Sequence, residues 1–222
     1  MDFLACCQRL RQEAGLSGTG PVSVVSQTGE MKRIVDWVAA AYEDIQELHA
    51  TWRFLRDDFS FSTIVNNQDY APISVGLTEH ASWVKEDIRI YESVNDECQL
   101  IYLPWEIFRK TYFIGSNRSV TGRPTIVTVR PNNTLTFWQV PSAILTVNGE
   151  YYKSPDVMAA NTDMPVMPSM FHMIIVWKGL MHYGAHAGAD EKYAHGEKEY
   201  KRMKAMLEFS ELEDFTHGEP LA

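Results

Sequence analysis

Thr28 to Trp52, reading TGEMKRIVDWVAAAYEDIQELHATW, decides the fold. Ile34, Val38, Ala41, Tyr42, Ile45, Leu48, His49 and Trp52 recur every three or four residues, which places them on one face of an α-helix. Thr28 suits the N-cap, and Glu30 suits the positive end of the helix dipole. Lys32, Arg33, Asp36, Glu43, Asp44 and Glu47 fall mostly on the other side. A long helix with one apolar stripe buries it only against other helices, and the chain supplies those at its two ends.

Upstream, Asp2 to Glu13 predicts a short helix with Phe3, Cys6, Cys7, Leu10 and Ala14 on one side, ended by Gly15. The connector GLSGTGP lacks the Gly-Lys-Ser/Thr ending of a phosphate loop. Downstream the period changes. In TWRFLRDDFSFSTIV, Phe59, Phe61 and Thr63 alternate with Ser60, Ser62 and Ile64, as in a strand. EDIRIYE alternates through Ile88 and Ile90, and TIVTVRPNNTLTFWQV predicts a hairpin about Pro131-Asn132-Asn133. AILTVNGEYY predicts a second hairpin, turning at Asn148-Gly149, and Pro104 opens a short helix over Trp105 to Phe113. Helices return at Pro168-Ser169, with Met170, Met173, Ile174, Trp177, Leu180 and Met181 as a buried stripe. A last helix from about Asp190 to Phe209 turns Tyr193, Tyr200, Met203 and Leu207 inward.

The predicted class is α+β, with N- and C-terminal helices forming one bundle around a mostly antiparallel β insertion. Residues 1–56 and 157–209 form the helical bundle, 57–156 the β-rich insertion and 210–222 a flexible C-terminal tail. The expected helical core is Ile34, Val38, Tyr42, Ile45, Trp52, Phe171, Ile174, Trp177, Met181, Tyr200, Met203 and Leu207.

Composition narrows the function. No apolar run in the 222 residues approaches the roughly 20 needed to span a membrane. The first residues, MDFLACCQRLRQEAG, lack the basic region and apolar stretch of a secretory signal. Cys6, Cys7 and Cys98 make no disulfide framework and are expected as reduced thiols. A formal net charge of −9 argues against broad contact with nucleic-acid phosphates.

Chemistry-bearing residues are sparse. His182 and His186 share a helix face, and Glu191 or His195 could join them around a metal, but the pattern is not His-Glu-x-x-His. His172 is expected to pack or cap, and His49 to be a polar handle near Trp52. Asp57, Asp58, Asp87, Asp96 and Glu97 offer carboxylates with nothing to fix a pair at a defined distance. Arg118, Arg123 and Arg130 are the nearest approach to a basic cluster and are expected in salt bridges rather than on DNA. The expectation is a non-enzyme with no cofactor and no metal. The alternative is a β-lobe glycan- or peptide-binding module, or a metal-dependent hydrolase with a His182/His186 site.

Three stretches together resemble a known family: IVDWVAAAYEDIQELHATWRFLRDDFSFST, the strands leading to LTVNGEYYKSPDVM, and MPVMPSMFHMIIVWKGLMHYGAHAGADEKYAHGEKEYKRMKAML. The pattern of a Trp-x-Phe-Leu corner, a β insert, a Pro-x-x-Phe-His start to an apolar helix and a closing charged helix is similar to that of the head-to-tail adaptors of tailed bacteriophages. The resemblance implies a structural virion protein of the neck, assembled in the host cytoplasm. It implies a twelve-fold ring of this chain beneath the portal, continuing the DNA channel to the tail without specific DNA binding. The last helix and tail would face the portal through Phe209, Leu212, Phe215, His217 and Leu221. The β lobe would face the next neck or tail protein.

Overall fold

The computed structural model describes residues 1–18 and 20–212. Its five helices are α1 (Phe3–Ala14), α2 (Gly29–Glu47), α3 (Trp105–Thr111), α4 (Met173–Ala187) and α5 (Asp190–Glu211). Its strands are β1 (Arg56–Ser62), β2 (Asp69–Tyr70), β3 (His80–Trp83), β4 (Arg89–Tyr91), β5 (Cys98–Gln99), β6 (Ile101–Tyr102), β7 (Thr121–Gly122), β8 (Ile126–Val129), β9 (Leu135–Trp138), β10 (Val140–Pro141) and β11 (Thr146–Lys153). The fold is α+β, and the chain divides into two units: Met1–Leu55 with Pro155–Ala222, and Arg56–Ser154.

In the helical unit, the Asp2 carboxylate caps α1 by accepting from the Ala5 N–H at 2.8 Å, and Gly15 closes it with a left-handed φ of 77°. α2 starts as expected, with Thr28 extended, although the Thr28 hydroxyl makes no capping bond. It ends at Glu47, short of the expected Trp52. The indole N–H of Trp52 instead donates to the Ile45 carbonyl at 3.2 Å, beside the Leu48 N–H that bonds the same carbonyl at 3.4 Å as the helix ends. Trp52 is therefore core, as expected, but reaches it from a turn rather than a helix.

Ile34, Val38, Tyr42, Ile45, Trp52, Phe171, Ile174, Met203 and Leu207 are buried together with Cys6, Cys7, Leu10, Ile175 and Leu180. Each fully buried aliphatic side chain of this kind contributes about 1.5–3 kcal/mol. Trp177, Met181 and Tyr200, expected in the same core, are only half-buried, and Tyr193 is exposed. The reason lies in glycine. A Cβ on Gly184 would stand 2.7 Å from the Tyr193 nitrogen, and one on Gly196 would stand 3.0 Å from the Trp177 carbonyl oxygen. α4 and α5 thus meet backbone to backbone, and the large side chains are displaced to the flanks of the contact. Trp177 lies edge-on to His195 there, with centroids 5.3 Å apart.

The segment before α4 is held by polar contacts. Phe3 N–H donates to the Asp163 carbonyl at 2.8 Å, and the Asn161 side-chain oxygen accepts from the Val24 N–H at 2.7 Å. His172, 2% exposed, lies 2.6 Å through Nδ1 from the Met1 amine and 3.0 Å through Nε2 from the Met167 carbonyl.

In the second unit β11 is the spine. It pairs antiparallel with β1 along one edge and with β4 and then β3 along the other, while β5 extends the sheet beyond β4. A second sheet has the order β2-β9-β8-β6, with β8 and β9 forming the expected hairpin and β6 parallel to β8. Short β7 and β10 pair in parallel. Phe59, Trp83, Ile88, Ile90 and Val147 from the first sheet region pack with Tyr70, Val127, Leu135 and Phe137 from the second.

The hairpin expected at Asn148-Gly149 does not form. β11 runs straight through it, Asn148 opposite Ser60 and Gly149 opposite Phe59. The glycine is there for room: a Cβ would lie 3.0 Å from the Phe59 ring and 3.1 Å from the Asp87 carbonyl oxygen.

Candidate docking surfaces

Met203 and Leu207, four apart on α5, face inward, while Met206 and Phe209 on the other side of the same turns are 47% and 87% exposed. With Met170, Phe171, Ala205 and Ser210 they line an apolar groove of about 530 Å³. Met170 is itself 69% exposed. This end of α5 is stitched to the corner after α2. His49 Nε2 lies 2.8 Å from Glu208 Oε1, and Arg53 donates to the Ser210 carbonyl at 3.3 Å. Burial pushes the Glu208 carboxyl up, but the His49 hydrogen bond and the Lys204 charge outweigh it and hold it below the usual range. Of the residues expected at the portal, Phe209 lines this groove, Leu212 is half-buried at the end of α5, and Phe215, His217 and Leu221 lie outside the described residues. Met170 and Met206 are contact residues that the sequence alone does not point to. Met170 reads from sequence as core, and only the short 3-10 turn over Ser169–Phe171 that precedes α4 turns it outward.

His182 and His186 are drawn to separate partners on α2. His182 Nε2 lies 3.8 Å from Asp44 Oδ2, and burial, then the Lys178 charge, lowers its pKa against the pull of Asp44. His186 Nε2 is 2.7 Å from Arg33 Nη1, and its ring lies 5.5 Å from that of Trp37. Among the described residues no group of three or more His, Cys, Asp or Glu is arranged to hold a metal. Three of the five candidate carboxylates of the β unit are closely paired with cations: Asp57 with Lys153 at 2.7 Å, Asp87 with Arg89 at 2.7 Å and Asp96 with Arg123 at 2.5 Å, while Glu97 lies 3.9 Å from Arg89. Asp57 is held below its usual pKa chiefly by the Lys153 hydrogen bond, and Asp96 chiefly by the Ser93 backbone N–H. A general acid needs the opposite shift.

A second groove, of about 730 Å³, lies along α3 and the loop that follows, lined by Trp105, Glu106, Arg109, Lys110, Phe113, Ile114 and Arg118. The Arg118 guanidinium sits 4.5 Å above the Phe113 ring, and that of Arg130 lies 5.0 Å from Phe113 and 5.3 Å from Trp105. Arg130 also pairs with Asp69 at 2.6 Å. The expected salt bridges of Arg123 and Arg130 are thus within this chain, while Arg118 stacks on an aromatic ring. The sequence shows Trp105 and Phe113 as a short helix only; their meeting with Arg130, brought in from the β8–β9 turn, is tertiary.

A family model described as "SU10 adaptor protein" matches residues 1–217. No curated protein matches the chain.

Proposed function

Since the chain belongs to the SU10 adaptor protein family, a family of phage head-to-tail adaptors, we propose that it forms a ring that docks under the portal and continues the DNA channel to the tail. Membership carries the structural role and the association with portal and tail proteins. The observation that supports portal docking by this chain is the groove of Met170, Met206 and Phe209, an apolar patch on the solvent side of a helix whose other side is core. Neighbours in a closed ring meet through heterologous contacts, so each copy presents two different faces. A net charge of −9 repeated around a channel repels DNA phosphates and lets the duplex slide. The ring is twelve-fold in this reading, with the β unit toward the tail.

The test is to mix the purified chain with the portal protein of the same virus and image the product by electron microscopy. A ring of this chain under the portal is expected. Two components that remain separate at tens of micromolar, a range in which specific interfaces assemble, would overturn the reading.

A further inference from the structure

The groove along α3 differs from the rest of the surface. The chain carries 29 acidic against 20 basic residues, yet here Arg109, Lys110 and Arg118 converge with one carboxylate, Glu106. None of the three makes an ion pair among the described residues, and all three are exposed. The floor is aromatic, Trp105 and Phe113, and its edge is Ile114, 58% exposed. The floor is braced by Arg130, which is anchored on Asp69 and lies over both rings. Preformed aromatic and arginine surfaces of this kind lose little entropy on binding and dominate the energetics of protein contacts.

We propose that this groove receives an acidic, aromatic-bearing peptide segment of the protein that follows on the tail side, an assignment of partner that rests on the adaptor reading above. Charge selects the ligand: an acidic segment is repelled by most of this chain and attracted here, which favours one register of docking. A single-stranded nucleic acid would use the same aromatic floor, but a phosphate track needs a longer run of cations than three.

The experiment titrates the isolated full chain into a labelled peptide repeating Glu-Glu-Phe, by fluorescence anisotropy, with no portal present. Failure of the ring assembly therefore leaves this result untouched, and failure here leaves the ring standing. Saturable binding is expected, weakening with salt and falling roughly ten-fold or more in the Arg109→Glu, Arg118→Glu double variant. Both residues are exposed, so an unchanged melting temperature shows the variant is folded. No binding by the acidic peptide overturns the proposal. So does tighter binding of a labelled oligothymidylate, which makes the groove a nucleic-acid site. Preference for a peptide of residues 210–222 overturns it as well, because it assigns the groove to a second copy's tail.

Discussion

Gln46 and Asp156, far apart in sequence, pair as two strand residues would. The Gln46 side-chain amide donates to the Asp156 carbonyl at 2.9 Å and its oxygen accepts the Asp156 N–H at 2.9 Å. Gln46 is 1% exposed. One turn earlier Tyr42 donates to the Asp156 carboxylate at 3.0 Å and accepts from the Val166 N–H at 3.0 Å. The two side chains fasten the segment returning from the β insertion to the last turns of α2. Gln46→Leu therefore removes both hydrogen bonds to Asp156, an exposed residue whose backbone groups can turn to water, and is expected to cost about 1–3 kcal/mol, from about 0.5–1.5 kcal/mol for each bond lost. Urea denaturation measures it; a loss below about 0.5 kcal/mol, within the range of neutral surface changes, would show the contact contributes little.

Gly184→Ala tests the backbone contact of α4 with α5. Alanine gains about 1 kcal/mol in helix propensity over glycine, yet its Cβ would meet the Tyr193 nitrogen at 2.7 Å and its Cα at 2.9 Å. Backbone cannot swing aside as a side chain does, so a net loss of about 1–3 kcal/mol is expected, in line with overpacked cores. A more stable variant in the same denaturation assay would place the helices farther apart than described.

The two tryptophans separate core from flank. Trp52→Ala, at 0% exposure and with its indole N–H bonded to Ile45, should cost about 3–5 kcal/mol. Trp177→Ala, at a half-buried position, should cost clearly less. Equal losses by chemical denaturation would return Trp177 to the core.

These variants also mark how far the sequence carried. The periodic stripe from Ile34 to Ile45 and the alternation around Ile88 and Ile90 were legible because each side chain's neighbours follow from its own element's repeat. Trp177 was not, because its depth depends on Gly184 and Gly196 drawing two helices together, a relation between elements. Asn148-Gly149 reads locally as a turn, and only the approach of Phe59 and Asp87 explains a glycine in mid-strand. The groove along α3 is illegible in the sequence for the same reason: Arg130 reaches Trp105 only once the β8–β9 turn is in place.

Stability should fall in mild acid. His172 is pushed below its ordinary 6.5 chiefly by burial, and the Met1 amine beside it acts in the same direction against its bonds to Met167 and Met1. His182 is lowered by burial and Lys178. Folding thus favours the neutral rings. Their contribution is complete above about pH 6.5, the unfolded value, and is lost as pH falls through the lower folded values. Melting temperature should decline from pH 7 to 5, and less steeply in the His182→Gln variant. Parallel declines would exclude His182 as a source.

Phe209→Asp should leave the fold intact, since the side chain is 87% exposed, and should weaken the portal complex by roughly ten-fold or more, as for an interface anchor. Unchanged affinity by biolayer interferometry would move the portal contact elsewhere on the chain.

The chain leaves the helices at Arg56 and comes back just past Lys153, and those boundary strands are hydrogen-bonded neighbours, Arg56 opposite Tyr152. Exit and return are thus clasped side by side, so a foreign lobe with the same paired ends can be spliced in without re-engineering the helices. Recombination between viral genomes can therefore exchange the β unit as a cassette while the helical unit keeps its own core.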